Sequence, residues 1–248
     1  MGVNTQDWGE KMSLAGKVAL ITGGTGALGR AVTAAFVQAG ARAAVTYIVD
    51  REVPECKECL GARADAPIFL KADVTAEAGV QELVKTIVGR LGRIDTLLHL
   101  VGGYIGDLPV AGLPEAMWDH MLNLNLKSAF LCCKHVVPVM QRQGEGRIVT
   151  VSSRAAIRVF PGISAYAAAK AGLIAFTETL AGEVLKDNIT VNTILPSVID
   201  TPANRQAMPG ADYSAWVKPE EIARVLLFLC SEASRQISGA AIPVYGRA

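Results

Sequence analysis

A tyrosine and a lysine four residues apart, Tyr166 and Lys170, occupy the run Tyr-Ala-Ala-Ala-Lys. On a helix that spacing puts both side chains on one face, with Cβ atoms about 5–6 Å apart. An ammonium beside a phenol favours the phenolate and lowers the phenol pKa from its ordinary value of about 10. General acid–base catalysis works best near the working pH, so such a pair could donate or accept a proton. The same spacing also occurs on any Ala-rich helix surface, and the elements around it must decide between the two.

At 248 residues, 51% hydrophobic and 19% charged, the chain has the makeup of a helix-and-sheet protein with a large core. A net charge of +1 leaves no electrostatic footprint for nucleic acid or an anionic membrane. No apolar run reaches the ~18 uncharged residues of a membrane span. Residues 1–16 are polar and mixed in charge, so a flexible leader rather than a signal peptide is expected, followed by one domain over 17–248. Five cysteines without a disulfide-framework pattern favour a reducing compartment, hence a cytoplasmic protein. Cys56-Lys-Glu-Cys59 has redox or zinc spacing. Neither Cys132-Cys133 nor Cys230 supplies a second ligand pair, so incidental surface thiols and no metal are expected.

Residues 17–22 form an apolar, strand-like run that leads at once into Gly23-Gly24-Thr25-Gly26-Ala27-Leu28-Gly29. Helical periodicity follows over 30–38, with Gly40 as the C-cap. Strand, glycine turn and helix are the context in which Gly24-x-Gly26-x-x-Gly29 reads as a dinucleotide fingerprint. Glycines let the backbone approach a pyrophosphate, which rests on the helix N-terminus. A second strand spans 42–49. An acidic residue at its end would bond the ribose 2′-OH and select NAD; here the counted position holds Tyr47, and Asp50 lies nearer the next helix. A missing carboxylate removes repulsion of a 2′-phosphate, and Arg30, Arg42 or Arg51 could pair with one. The reading therefore leans to NADP(H) within NAD(P).

Further strands are expected over 67–71, 94–101, 146–151, 189–195 and 240–244, with helices over 77–91, 114–142, from Ser164 and from Pro219. Strands without polar alternation, separated by helices, imply a parallel sheet covered on both faces. The expected fold is α/β: a single Rossmann-type, doubly wound domain with a seven-stranded parallel sheet flanked by helices. Asp73 and Gly102-Gly103, at C-terminal strand ends, fall on the ligand-binding edge. Residues 198–217, rich in Pro, Gly, Asp and Asn, form a loop long enough to be a substrate flap. His99, inside an apolar strand, reads as a satisfied core histidine.

The glycine turn, Ser153 placed 13 residues before Tyr166, and Lys170 four after it together resemble the short-chain dehydrogenase/reductase family, over about residues 17–245. Asn125, in an Asn-Leu segment, completes that family's tetrad, and Asp73-Val74 and Thr201-Pro202 also match. The resemblance implies hydride transfer between a nicotinamide and a carbonyl or secondary-alcohol carbon. Tyr166 would be the general acid or base, and Lys170 would lower its pKa and bind ribose hydroxyls. Ser153 would hydrogen-bond the substrate oxygen, and Asn125 would hold a relay water. The cofactor would be met by Gly23, Thr25, Gly26, Ala27, Leu28, Gly29, Tyr47, Asp73, Val74, Val101, Gly102, Pro196, Val198 and Thr201, besides Tyr166 and Lys170. Ala-rich helices would pair subunits into a homodimer or homotetramer acting on a small-molecule carbonyl or alcohol. A 3-oxoacyl-carrier-protein reductase-like activity, with Arg154, Arg158 and Arg205 as a docking patch, is the alternative within the family. A catalytically silent nucleotide-binding sensor or scaffold is the alternative outside enzymes. The chain departs from the family pattern at Ala27, where a glycine is usual, and at Ser197, which replaces the glycine of Pro-Gly. His99-Leu100-Val101-Gly102 stands in place of Asn-Asn-Ala-Gly, and Tyr245-Gly246-Arg247 in place of Asp-Gly-Gly.

Overall fold

Neighbouring residues of the first strand feed two separate cores, as a sheet covered on both faces requires. In the computed structural model, which describes residues 12–247, β1 (Val18–Thr22) sends Val18 and Leu20 to one face and Ala19 and Ile21 to the other. The chain continues through α1 (Ala27–Gln38), β2 (Arg42–Tyr47), α2 (Glu52–Leu60), β3 (Ile68–Lys71), α3 (Glu77–Leu91) and β4 (Thr96–His99). It then runs through α4 (Glu115–Leu122), α5 (Ser128–Gln143), β5 (Gly146–Val151), α6 (Ser164–Glu183) and β6 (Ile189–Pro196), and ends with α7 (Pro202–Ala207), α8 (Pro219–Cys230) and β7 (Ala241–Val244). All seven strands are parallel, in the order β3-β2-β1-β4-β5-β6-β7. Helices α3, α5 and α6 pack on one face, and α1 and α8 on the other. The order reverses between β1 and β4, which opens a crevice at the strands' C-terminal ends.

Differences from the sequence expectation are local and have physical causes. Strand β4 is shorter than 94–101: Leu100 still donates to the Thr22 carbonyl, but from there the chain turns out to line the crevice with Leu100 and Val101. The helical region 114–142 is interrupted at Asn123–Lys127 by a π-turn. There Asn125 Nδ2 donates to the Met121 carbonyl at 3.1 Å, so the side chain takes an acceptor that regular helix geometry would give to a backbone N–H. The segment 198–217 is folded rather than open. It contains α7 and a short 3₁₀ turn, Tyr213–Ala215, held by a two-pronged Arg205–Asp200 pair and by the Tyr213 hydroxyl on the carbonyls of Arg205 and Met208. The leader expected over 1–16 falls outside the described residues up to position 11. Leu14, however, is buried against α1 and donates to the Ala39 carbonyl, so ordered packing begins before Lys17. No helix among the described residues is long and apolar enough to cross a membrane.

At the opposite, N-terminal end of the sheet, the buried Asp95 carboxylate accepts from the Val18 N–H at 2.8 Å and is gripped by Arg93. Arg93 and Lys17 both reach Glu145, tying β1, β4 and the start of β5 together. Asp95→Ala leaves the Val18 N–H without its acceptor, a loss of about 1–3 kcal/mol. Urea unfolding at pH 7 should show that loss; an unchanged midpoint would mean the network contributes nothing.

Candidate active site

At Gly24 and Gly29 the glycine turn packs too closely for a side chain. A Cβ on Gly29 would come within 2.6 Å of Gly24 Cα and closer still to the Gly23 carbonyl oxygen. Gly23 has φ +66°, and its N–H donates to Thr46 Oγ1 at 3.1 Å. Gly26, in contrast, has only the Gly23 oxygen near its missing Cβ, so the turn is bare on its outer side. The crevice beside it, about 390 Å³, is lined by Gly23, Thr25, Gly26, Ala27, Leu28 and Gly29 from the turn, Tyr47 from β2, Asp73 and Val74 after β3, and Val101 and Gly102 after β4. Exposed backbone at the start of α1 in a long apolar cleft suits a pyrophosphate-bearing dinucleotide. When bound, a nicotinamide dinucleotide supplies or accepts a hydride.

Pro196, Val198 and Thr201 are not part of that lining. Pro196 ends β6; Val198 accepts from the Val217 N–H at the base of the 198–217 segment; Thr201 caps α7 by accepting from the Asn204 N–H at 3.2 Å. Glu52, Thr46 and Thr75 line the crevice without having been singled out by the sequence. Glu52 lies one residue beyond the 47–51 window, and its acidic character was the available signal. Two arginines considered for a 2′-phosphate are placed elsewhere. Arg42 lies at the far, N-terminal end of β2, and Arg30 is paired with Glu55.

Near Gly102 the crevice meets the tetrad. A Cβ on Gly102 would stand 2.8 Å from Asn125 Oδ1 and 3.1 Å from Lys170 Nζ, so a glycine there keeps both polar groups accessible. Asn125 is fixed by accepting from the Gly103 N–H and donating to the Gly103 carbonyl, each at 3.0 Å. Lys170 Nζ donates to the Val151 carbonyl at 2.8 Å, at the end of β5. Ser153, two residues past that strand, stands beside the Tyr166 hydroxyl, favouring its ionised form, and accepts from the Ala155 N–H at 3.1 Å. Tyr104 stands edge-on to Tyr166 with ring centroids 5.1 Å apart, a neighbour absent from the sequence reading.

One electrostatic expectation is reversed. Burial raises the Tyr166 pKa; the neighbouring Ser153 hydroxyl opposes this, and Tyr104 adds to it. Lys170 Nζ, 5.8 Å from the Tyr166 ring centroid, does not overcome that desolvation. The same burial draws Lys170 down to about 8.

His99 is the satisfied core residue expected. It bonds Thr22 Oγ1 through Nδ1 and Ser128 Oγ through Nε2, both at 3.0 Å. Because Ser128 already donates to the Leu124 carbonyl, Nε2 carries the hydrogen and Nδ1 accepts from Thr22. Burial, aided by the Lys170 charge, lowers its pKa to about 3, so it stays neutral and joins β1, β4 and α5. The Cys56–Cys59 pair corrects the expectation of two surface thiols. Cys56 is fully buried, 3.8 Å from the Gly24 carbonyl, because α2 packs under the glycine turn; Cys59 alone is exposed.

Lys170 binds its proton less tightly in the folded state than in the unfolded one. Its stability cost is therefore complete below pH 8 and disappears as pH rises through about 10.5. Lys170→Met should stabilise the protein at pH 7, by at most about 3 kcal/mol, with the freed Val151 carbonyl taking back part of the gain. At pH 10 the gain should largely vanish. Urea unfolding at both pH values tests this, and a variant less stable at pH 7 would contradict it.

Comparison with known proteins agrees with the geometry. Residues 24–246 match a family model described as enoyl-(acyl carrier protein) reductase. The 3-oxoacyl-[acyl-carrier-protein] reductase FabG of Thermotoga maritima is 37% identical over 247 residues, covering 95% of this chain and 98% of that one. The crystal structure of gox2181 superposes with a TM-score of 0.90 at 28% identity, over 96% of this chain and 97% of that one. NAD+-bound xylitol dehydrogenase gives a TM-score of 0.87 at 27% identity, over 94% and 99% of the two chains. The chain therefore belongs to the short-chain dehydrogenase/reductase family, as an NAD(P)-using oxidoreductase acting on the CH–OH/C=O pair.

Proposed function

We propose that Tyr166, Ser153, Lys170 and Asn125 carry the reaction on a carbonyl or secondary alcohol held above the end of β5. The observation that carries this reading is the convergence of Asn125 Oδ1 and Lys170 Nζ beside Gly102, where the crevice ends, with the Tyr166 ring centroid 5.8 Å from the same ammonium and Ser153 beside its hydroxyl. A carbonyl oxygen entering there can accept from both hydroxyls, so the charge that develops on it is met by two fixed donors. Tyr166, held in its protonated form by burial, is suited to deliver a proton in the direction of reduction. Lys170, close to Gly102 and Asn125, can pass charge and protons towards the crevice, and Asn125 is braced to hold a relay water. Pro196, Val198 and Thr201 lie where the base of the 198–217 segment would border the nicotinamide end. The assembled tetrad favours this reading over a silent sensor or scaffold.

A 3-oxoacyl thioester is the substrate class favoured by the Thermotoga maritima relative's name. The docking patch for it reduces to Arg154 and Arg158, because Arg205 is occupied by Asp200. Subunit pairing into a homodimer or homotetramer is supported by the Ala-rich α6 and by Phe130, part-exposed on α5 and edge-on to Phe176. Five free cysteines support a cytoplasmic setting.

Tyr166→Phe should abolish turnover of acetoacetyl-CoA or of a simple ketone while dinucleotide binding, followed by nicotinamide fluorescence, stays nearly unchanged. Turnover within tenfold of wild type would refute the hydroxyl's role.

A further inference from the structure

In this fold the adenosine ribose lies between the glycine turn and the end of the second strand. The usual place for an acidic selector there is taken by Tyr47, and the crevice wall continues through Ile48 and Val49 to Glu52 at the start of α2. Glu52 Oε2 accepts from Thr25 Oγ1 at 2.7 Å, which holds the carboxylate against the glycine turn. Among the described residues, its second oxygen has no hydrogen-bond donor. The only charged residues lining the crevice are Glu52 and Asp73, both acidic, and Asp73 is engaged by the N–H and hydroxyl of Thr75. No lysine or arginine lines it. Of the cations around it, Arg30 is engaged with Glu55 and the Thr25 carbonyl and Lys71 with Asp50, while Arg51, next to Glu52, is exposed outside the lining.

We propose that Glu52, oriented by Thr25, reads the 2′-position of the adenosine ribose, so that the chain prefers NAD(H) to NADP(H). A ribose 2′-OH can donate to the free carboxylate oxygen. A 2′-phosphate would bring a second anion to the same place with no cation lining the crevice to meet it. The selector has moved from the end of β2, where Tyr47 stands and Asp50 is paired with Lys71, to the first turn of α2, which is why the end of β2 alone leans to NADP(H). Thr25 acts here as a positioning residue.

This proposal rests on the dinucleotide reading of the crevice, and equilibrium titrations with NADH and NADPH, followed by nicotinamide fluorescence, separate the two. Wild-type protein should bind NADH at least tenfold more tightly than NADPH. Glu52→Gln, which keeps size and hydrogen bonding but removes the charge, should tighten NADPH at least fivefold and change NADH less than threefold. Thr25→Val should narrow the ratio in the same direction by a smaller factor, with thermal melting confirming that both variants fold. A wild-type preference for NADPH, or a ratio unmoved by Glu52→Gln, would overturn the role of Glu52 while leaving the dinucleotide site intact. Failure of wild type to bind either dinucleotide below millimolar would overturn the dinucleotide reading and the selector with it.

Discussion

Lys170 is a buried cation that makes no ion pair among the described residues, and the inner end of the site is arranged around keeping it there. Its ammonium is held by the Val151 carbonyl at the end of β5, and Ser152 Oγ donates to the Lys170 carbonyl from the same strand end. Helix α6 is thereby stitched to the sheet at the level where Ser153 meets Tyr166. Burial of this kind is costly for a charged group. A carboxylate partner would offset the cost but would also neutralise the charge at this position. The structure places neutral acceptors there instead.

The sheet makes that arrangement possible. All strands run the same way, so their C-terminal ends gather the glycine turn, Gly102, Ser153 and the 198–217 segment at one edge. One departure from the family's usual residues has a local replacement. His99 takes a place where asparagine is common and spans Thr22 and Ser128, so a buried hydrogen-bonded brace persists through a different side chain. Asn125 sits in a π-turn, where the extra residue per turn frees the Met121 carbonyl for its side chain and leaves its amide facing Gly103.

Polarity is divided unevenly along the crevice. Past Gly102, at its inner end, stand the Lys170 ammonium and the Asn125 amide, whereas the lining itself carries two carboxylates and otherwise uncharged walls. The closeness of Gly29 to Gly23 and Gly24 presses α1 against β1, and Thr25 on the connecting turn reaches across to α2. Cys56 is buried for the same reason, since α2 lies under that turn. The outer end is thus a packed junction of β1, α1 and α2 rather than a free loop.

Much of this was legible in the sequence. Apolar strand runs separated by amphipathic helices specify a two-faced parallel sheet because both faces must be covered. The spacing of Ser153, Tyr166 and Lys170 survives as geometry because a strand end and one helix carry all three. The burial of His99 could be read from its apolar strand. Tertiary structure decided what depends on packing between distant segments. The Tyr166 pKa is raised because burial among its neighbours disfavours the phenolate, which the four-residue spacing to Lys170 does not show. Cys56 is buried, Arg42 lies at the wrong end of β2, and Glu52 reaches the crevice because α2 folds back beneath the glycine turn. Spacing along the chain fixes which residues share an element, but only the docking of elements fixes which charges share a cavity.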